Sequence, residues 1–300
     1  MKELKTCAVR VRRKKFVDIF RTTPPKTVCP NFFVLAHANG CTFQPQCTYC
    51  FLKSSFWYLN EPQAFSNTER MRKEITRWIR RDDLESYVLN TGNLSDSLVF
   101  EKDRPLIGSL VELFRDEAEA KGRKHALLLV TKGGPRDCKP LLDTQPCKNV
   151  IVSFSVNAPD AARIHEKGAA PVADRLRAAA SLKSRGWRIR MRIDPMIRGF
   201  NYRGIAEQVR RLAPERVTLG TLRAEHNLPR YVGNGLLKEM EKPADPKALA
   251  RYPMNVRLAL YRQAADVLSK SVPLALCEET LDTWTALGFD AASKKCNCAL

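Results

Sequence analysis

Cys41, Cys47 and Cys50 stand in the stretch GCTFQPQCTYCF, a C-x5-C-x2-C spacing that packs three thiols into ten positions. A structural zinc ion takes four protein ligands to close its tetrahedron. Three thiolates suit a different group, a [4Fe–4S] cube with one iron left open to a ligand from outside the protein. Two other readings of the same residues stay open: a zinc site that borrows a fourth ligand such as His37, and unliganded core thiols. A second set, Cys277, Cys296 and Cys298, could hold an auxiliary iron–sulfur cluster or zinc, with a fourth ligand from Cys7, Cys29, Cys138, Cys147 or the substrate. A reductant pair, or a frayed tail with idle thiols, would leave the same pattern.

The surroundings of these thiols matter to that choice. The N-terminus, MKELKTCAVRVRRKK, lacks the apolar core of a signal peptide, and no apolar run approaches membrane-spanning length. A reducing cytoplasm is expected, that of an infected host cell if the protein is viral. Ten cysteines there point to metal or catalysis rather than to disulfides. The chain also carries 51 Lys and Arg against 32 Asp and Glu, a net charge of +19 with pI near 9.7. Runs such as VRRKK, ERMRKEITRWIRR and DRLRAAASLKSRGWRIRMR favour a polyanion, which releases counterions when its phosphates are neutralised. A basic surface kept for solubility is the plainer explanation. His125, His165 and His226 stand alone and read as surface or packing residues. Trp57 and Tyr58 follow the cysteine loop, where an aromatic could stack on an extruded base or pack in the core.

The elements that would position these residues alternate. FFVLAH (32–37) is a predicted strand that runs into the cysteines, and SNTERMRKEITRWIRR (66–81) a helix with Ser66 as its candidate cap. SYVLNTG, HALLLVTK, NVIVSFSVN, WRIRMRIDPMI and VTLGTL read as further strands. LIGSLVELFRDEAEAKG, VADRLRAAASLKSRG and YRGIAEQVRRL read as helices between them. Such alternation predicts parallel βα units in an open sheet or barrel, with functional residues at the C-terminal strand ends. The expected organisation is a basic arm over 1–30, the α/β body over 31–240 and a helical, cysteine-bearing extension over 241–300.

CTYCFLKSS, TGNLSDS, LLLVTKGG, IVSFSVN, ADRLRAAASLKSRGWRIRMRIDPMI and the late RYP…LY segment resemble, in order and spacing, spore photoproduct lyase and its relatives in the radical S-adenosylmethionine superfamily. The resemblance implies a partial (β/α)6 barrel of the TIM type. It implies Cys41, Cys47 and Cys50 as cluster ligands and an S-adenosylmethionine cofactor whose cleavage yields a 5′-deoxyadenosyl radical. Tyr49, Ser95, Lys132, Ser155 and Asp194 fall on positions that contact that cofactor. An external one-electron reductant of the flavodoxin or ferredoxin type would be a partner. Two positions depart from the family: Asn93 stands where the lyase has a hydrogen-donating cysteine, and Phe51 where it has a tyrosine. Cys138 and Cys147 are the candidate replacement donors. The function expected is radical chemistry on a thymine or modified thymine of DNA, as a hypermodification or rearrangement of the base. Photoproduct repair, action on RNA, peptide or a small molecule, and a non-enzymatic iron–sulfur or zinc nucleic-acid-binding protein are the alternatives.

Overall fold

The structure, a computed structural model, describes residues 7–21, 24–233 and 235–300. Eight strands form the main sheet: β1 (Val17–Phe20), β2 (Phe32–Leu35), β3 (Val88–Asn90), β4 (Ala126–Thr131), β5 (Val150–Val156), β6 (Arg188–Met196), β7 (Arg216–Thr221) and β8 (Leu274–Leu276). Their spatial order is their chain order. β1 pairs antiparallel with β2, and every later neighbour pairs in parallel. The edges β1 and β8 are not paired with each other, so the hydrogen-bonded sheet is open.

Helices fill the crossovers. α1 (Leu52–Ser55) and α2 (Thr68–Ile79) follow β2, and α3 (Ile107–Phe114) follows β3. α4 (Lys139–Leu142) follows β4, while α5 (Pro159–His165) and α6 (Val172–Ser184) follow β5. α7 (Arg203–Leu212) precedes β7, α8 (Met254–Leu268) precedes β8, and α9 (Leu281–Ala286) comes last. The helix expected over 66–81 is present, but Asn67 rather than Ser66 occupies its N-cap. The Asn67 side chain is spent on the basic arm, accepting from the Arg12 amide at 3.0 Å and donating to the Arg12 carbonyl at 3.0 Å.

Alternation along β6 explains why so charged a strand is central. Ile189, Met191 and Ile193 point to one face and join Ala178, Ala179 and Leu182 of α6 in the hydrophobic core. Arg190, Arg192 and Asp194 take the other face, where Arg190 is fully buried. On that face the C-terminal segment lies across the sheet. Arg190 donates to the carbonyls of Asn297 (2.7 Å) and Ala299 (2.5 Å), Arg216 to that of Cys296 (2.7 Å), and Ser153 to the Asn297 side chain (2.9 Å). Arg190, Arg216 and Ser153 are thus bonded by the tail instead of by water.

The arm and the extension are not appendages. The arm supplies β1, and its residues Ala8–Arg10 pair with Gln63–Phe65; the extension supplies β8.

Candidate functional site

Because β2 to β8 run in parallel and in order, their C-terminal ends share one edge. His37 and the cysteine loop lie beyond β2, Ser95 and Asp96 beyond β3, and Lys132 beyond β4. Ser155 lies near the end of β5, Asp194 near the end of β6, and Cys277 directly after β8. The candidate S-adenosylmethionine contacts are therefore brought to a single mouth.

The loop holding Cys41, Cys47 and Cys50 is clamped by the last residue of α5 and the segment after it. The Thr48 amide donates to the His165 carbonyl (2.9 Å), and the Thr48 hydroxyl meets His165 Nδ1 at 3.0 Å. Gly168 packs so closely that a Cβ there would stand 2.4 Å from the Pro45 carbonyl oxygen. His165, read from the sequence as a surface or packing residue, is part of this clasp. Burial pushes all three thiols up, Cys47 to about 11, while Lys132 acts the other way on Cys47 and Cys50.

Glu166, which sequence reasoning missed, is the hub of the mouth. Its side chain is fully buried and accepts from the Tyr49 hydroxyl, from Arg175 at 2.5 Å and from Asn157 at 3.2 Å. Lys132 Nζ stands 3.7 Å away. Burial alone would raise this carboxyl, but Lys132 and Arg175 outweigh it and hold Glu166 down at about 2. Tyr49 is thereby fixed by its phenol, and Lys132 lies 6.0 Å over its ring.

Beside it, Arg104 donates to His37 Nδ1 at 2.9 Å. A guanidinium cannot accept, so Nδ1 is the bare nitrogen and Nε2–H donates to the Ser95 hydroxyl, 2.9 Å away. Ser95 in turn donates to the Thr91 carbonyl at 3.3 Å. Burial, then Arg104, lowers His37 to about 3. With both ring nitrogens engaged, His37 has no lone pair to offer as a fourth zinc ligand. Asp96 joins the strand ends, accepting from the Thr131 hydroxyl (2.8 Å) and the Lys132 amide (2.7 Å).

Asp194, expected to contact the cofactor, already accepts from Arg192 and, at 2.9 Å, from Arg223. The same two guanidiniums donate to Cys277 Sγ at 3.3 and 3.2 Å. Ser155 is buried, and its carbonyl accepts from Arg175 at 3.1 Å.

Both candidate hydrogen donors are buried. Cys147 precedes the start of β5, at the opposite end of the strands, while Cys138 is the N-cap of α4, within electrostatic range of Asp96. The second cysteine set does gather, and Cys29 joins it. Burial raises the Cys29 thiol, and neighbouring Cys296 and Cys277 raise it further. Cys298 donates to Cys296, lowering the latter, and accepts from Asn90 at 3.5 Å.

Among the described residues, no three His, Cys, Asp or Glu side chains converge on a point fit for one metal ion. A cube presents its thiolates at separate corners, a wider spacing than ligands of a single ion. Cys41, Cys47 and Cys50 fit that need: they interact electrostatically, are half-buried, and Cys47 and Cys50 have Lys132 near enough to offset thiolate charge.

The sequence profile of a family described as spore photoproduct lyase matches residues 6–226. No curated protein sequence matches the chain. A solved spore photoproduct lyase mutant with dinucleoside spore photoproduct superposes with TM-score 0.73 at 15% identity, covering 90% of this chain and 81% of that one. A double mutant with bound AdoMet and the same dinucleoside gives 0.71 at 16% identity, over 89% and 80%. Streptococcus suis SuiB bound to S-adenosylmethionine gives 0.50 at 14% identity, over 84% and 51%. At these identities the superpositions speak for the fold, and the profile speaks for descent. A match that runs from the basic arm through β7, over most of the chain, makes this protein a member of the spore photoproduct lyase family.

Proposed function

We propose that the protein is a radical S-adenosylmethionine enzyme that takes hydrogen from a thymine or modified thymine of DNA and rearranges or extends that base. The observation that carries this reading is the placement of the three-thiol loop at the same strand edge as Lys132, Ser155 and Asp194. We read the sequentially ordered sheet as a six-unit partial barrel around that mouth, opened by the missing β1–β8 pairing. Cys41, Cys47 and Cys50 would hold a [4Fe–4S] cluster. When bound, the cluster and S-adenosylmethionine supply a one-electron reductive cleavage and a carbon-centred hydrogen abstractor.

The chain's own residues do the rest. Lys132 would pair with the cofactor's carboxylate, Tyr49 would lie against its adenosyl part, and Ser95, Ser155 and Asp194 would be its further contacts. Glu166 fixes Tyr49 and Lys132 together, and Asp194 holds Arg192 and Arg223 beside Cys277. Photoproduct repair is the second reading, favoured by the family and by relatives solved with a photoproduct dinucleoside. Against it, Asn93 and Phe51 occupy the places of the lyase's hydrogen-return pair. An external flavodoxin- or ferredoxin-type reductant and a cytoplasmic setting belong to this proposal. The basic reaction needs one cluster only.

Anaerobic reconstitution followed by reduction tests it: iron and sulfide at about four each per chain, with 5′-deoxyadenosine formed, is the expected result. Bound zinc without cofactor cleavage would make the protein a nucleic-acid binder. Lys132→Ala should weaken S-adenosylmethionine binding about 10-fold or more while leaving iron content unchanged. Equal affinity would remove Lys132 from the site.

A further inference from the structure

The four exposed aromatic side chains among the described residues are Phe51, Trp57, Tyr58 and Tyr231. Trp57 and Tyr58 are 64% and 59% exposed. Trp57 and Tyr231 line a hollow of about 510 Å³ together with Phe56 and residues 44–46, the segment between Cys41 and Cys47. Tyr58 stands edge-on to both Trp57 (6.0 Å between ring centres) and Phe56 (6.4 Å). Phe51 follows Cys50 directly.

Aromatic rings left in water beside a reactive loop ask for a partner. The neighbouring charge says which kind. Lys53 lines the hollow, and Arg12 lies within electrostatic range of Tyr58. Arg13, Lys14 and Lys15 are exposed along the same arm, and Arg230 is exposed next to Tyr231. Glu61 is the acidic side chain in the lining. Rings with flat faces, flanked by cations, match an unpaired nucleic-acid strand: phosphates meet the arm while bases stack. A hydrophobic protein partner would not call for the cations, and intact duplex hides its base faces.

We infer that Trp57, Tyr58 and Tyr231 form a base-stacking platform that grips an unpaired DNA strand beside the radical site. This rests on the DNA reading above and deepens it. Opening the duplex costs stacking, and the platform returns part of that cost to bases next to the extruded one.

The test is the binding of a short oligothymidylate and of a fully paired hairpin of equal length to the reconstituted protein over a salt series. Wild type should prefer the single strand. Trp57→Ala/Tyr58→Ala should lose about 5- to 150-fold in single-strand affinity. Its slope of log affinity against log salt should stay unchanged, because rings release no counterions. Trp57→Phe should recover most of the affinity, which separates stacking from misfolding. Equal affinity of wild type and the double variant overturns the platform while leaving the DNA substrate intact. No binding of either DNA by wild type overturns the DNA reading itself. Loss of a dimer in the double variant, seen by sedimentation, would reassign the patch to contact between copies and also overturn it.

Discussion

At the residue scale, the mouth is built from neutral and charged groups whose states are set by their neighbours. His37 is the clearest case: Arg104 donates to it, so it stays unprotonated. Its folded pKa of about 3 lies below the value near 6.5 of an exposed imidazole. As pH falls, the unfolded chain takes up this proton first. The His37 contribution is therefore intact above about pH 6.5 and is lost towards pH 3, at about 1.4 kcal/mol per unit. His37→Gln removes the titration, so the stability gap between wild type and variant should narrow as pH drops from 7 to 4.5. Urea unfolding at each pH measures that gap, and a constant gap would mean that the ring is not held neutral. Sequence showed the thiol trio because its spacing is local. It hid Glu166, whose bond to Tyr49 spans 117 positions. RIHEKG carries no signal of its own, and only the folded βα crossover brings it over the cysteine loop.

At the element scale, the alternation of strands and helices was legible, since apolar runs with Gly or Pro borders mark parallel βα units. The limits lay at the ends. LALCEET is too short and too weakly patterned to announce β8, yet three residues suffice when β7 offers a ready edge. The RIRMR strand looked like exposed charge, while its central Arg190 is buried against the tail carbonyls. This arrangement also bears on the tail thiols. Cys277 Sγ already accepts from two guanidiniums, and Cys298 Sγ from Asn90. With those bonds in place, Cys296→Ala/Cys298→Ala should leave reconstituted iron at about four per chain, as in wild type. Iron near eight in wild type, falling to about four in the variant, would instead establish the auxiliary cluster.

At the scale of the whole molecule, the net charge of +19 is not all available to a partner. Arg104, Arg175, Arg190, Arg216, Arg251 and Arg257 are buried, and several are committed to carboxylates or tail carbonyls. What remains outside includes the arm residues Arg13, Lys14 and Lys15. Arg70, packed against the arm, donates to the carbonyls of Arg12, Arg13 and Lys14 and so holds the backbone of that cationic segment in place. Affinity for DNA should therefore depend on this arm rather than on the basic run through α6 and β6. Contact with as few as about four phosphates would give a log–log salt slope near −3.6, about a 150-fold loss between 50 and 200 mM salt. Arg13→Ala/Lys14→Ala/Lys15→Ala should flatten that slope by about 2 to 3. Arg177→Ala/Lys183→Ala on α6 should leave it where it was. Equal slopes in all three proteins would remove the arm from the DNA contact and leave the charge to solubility.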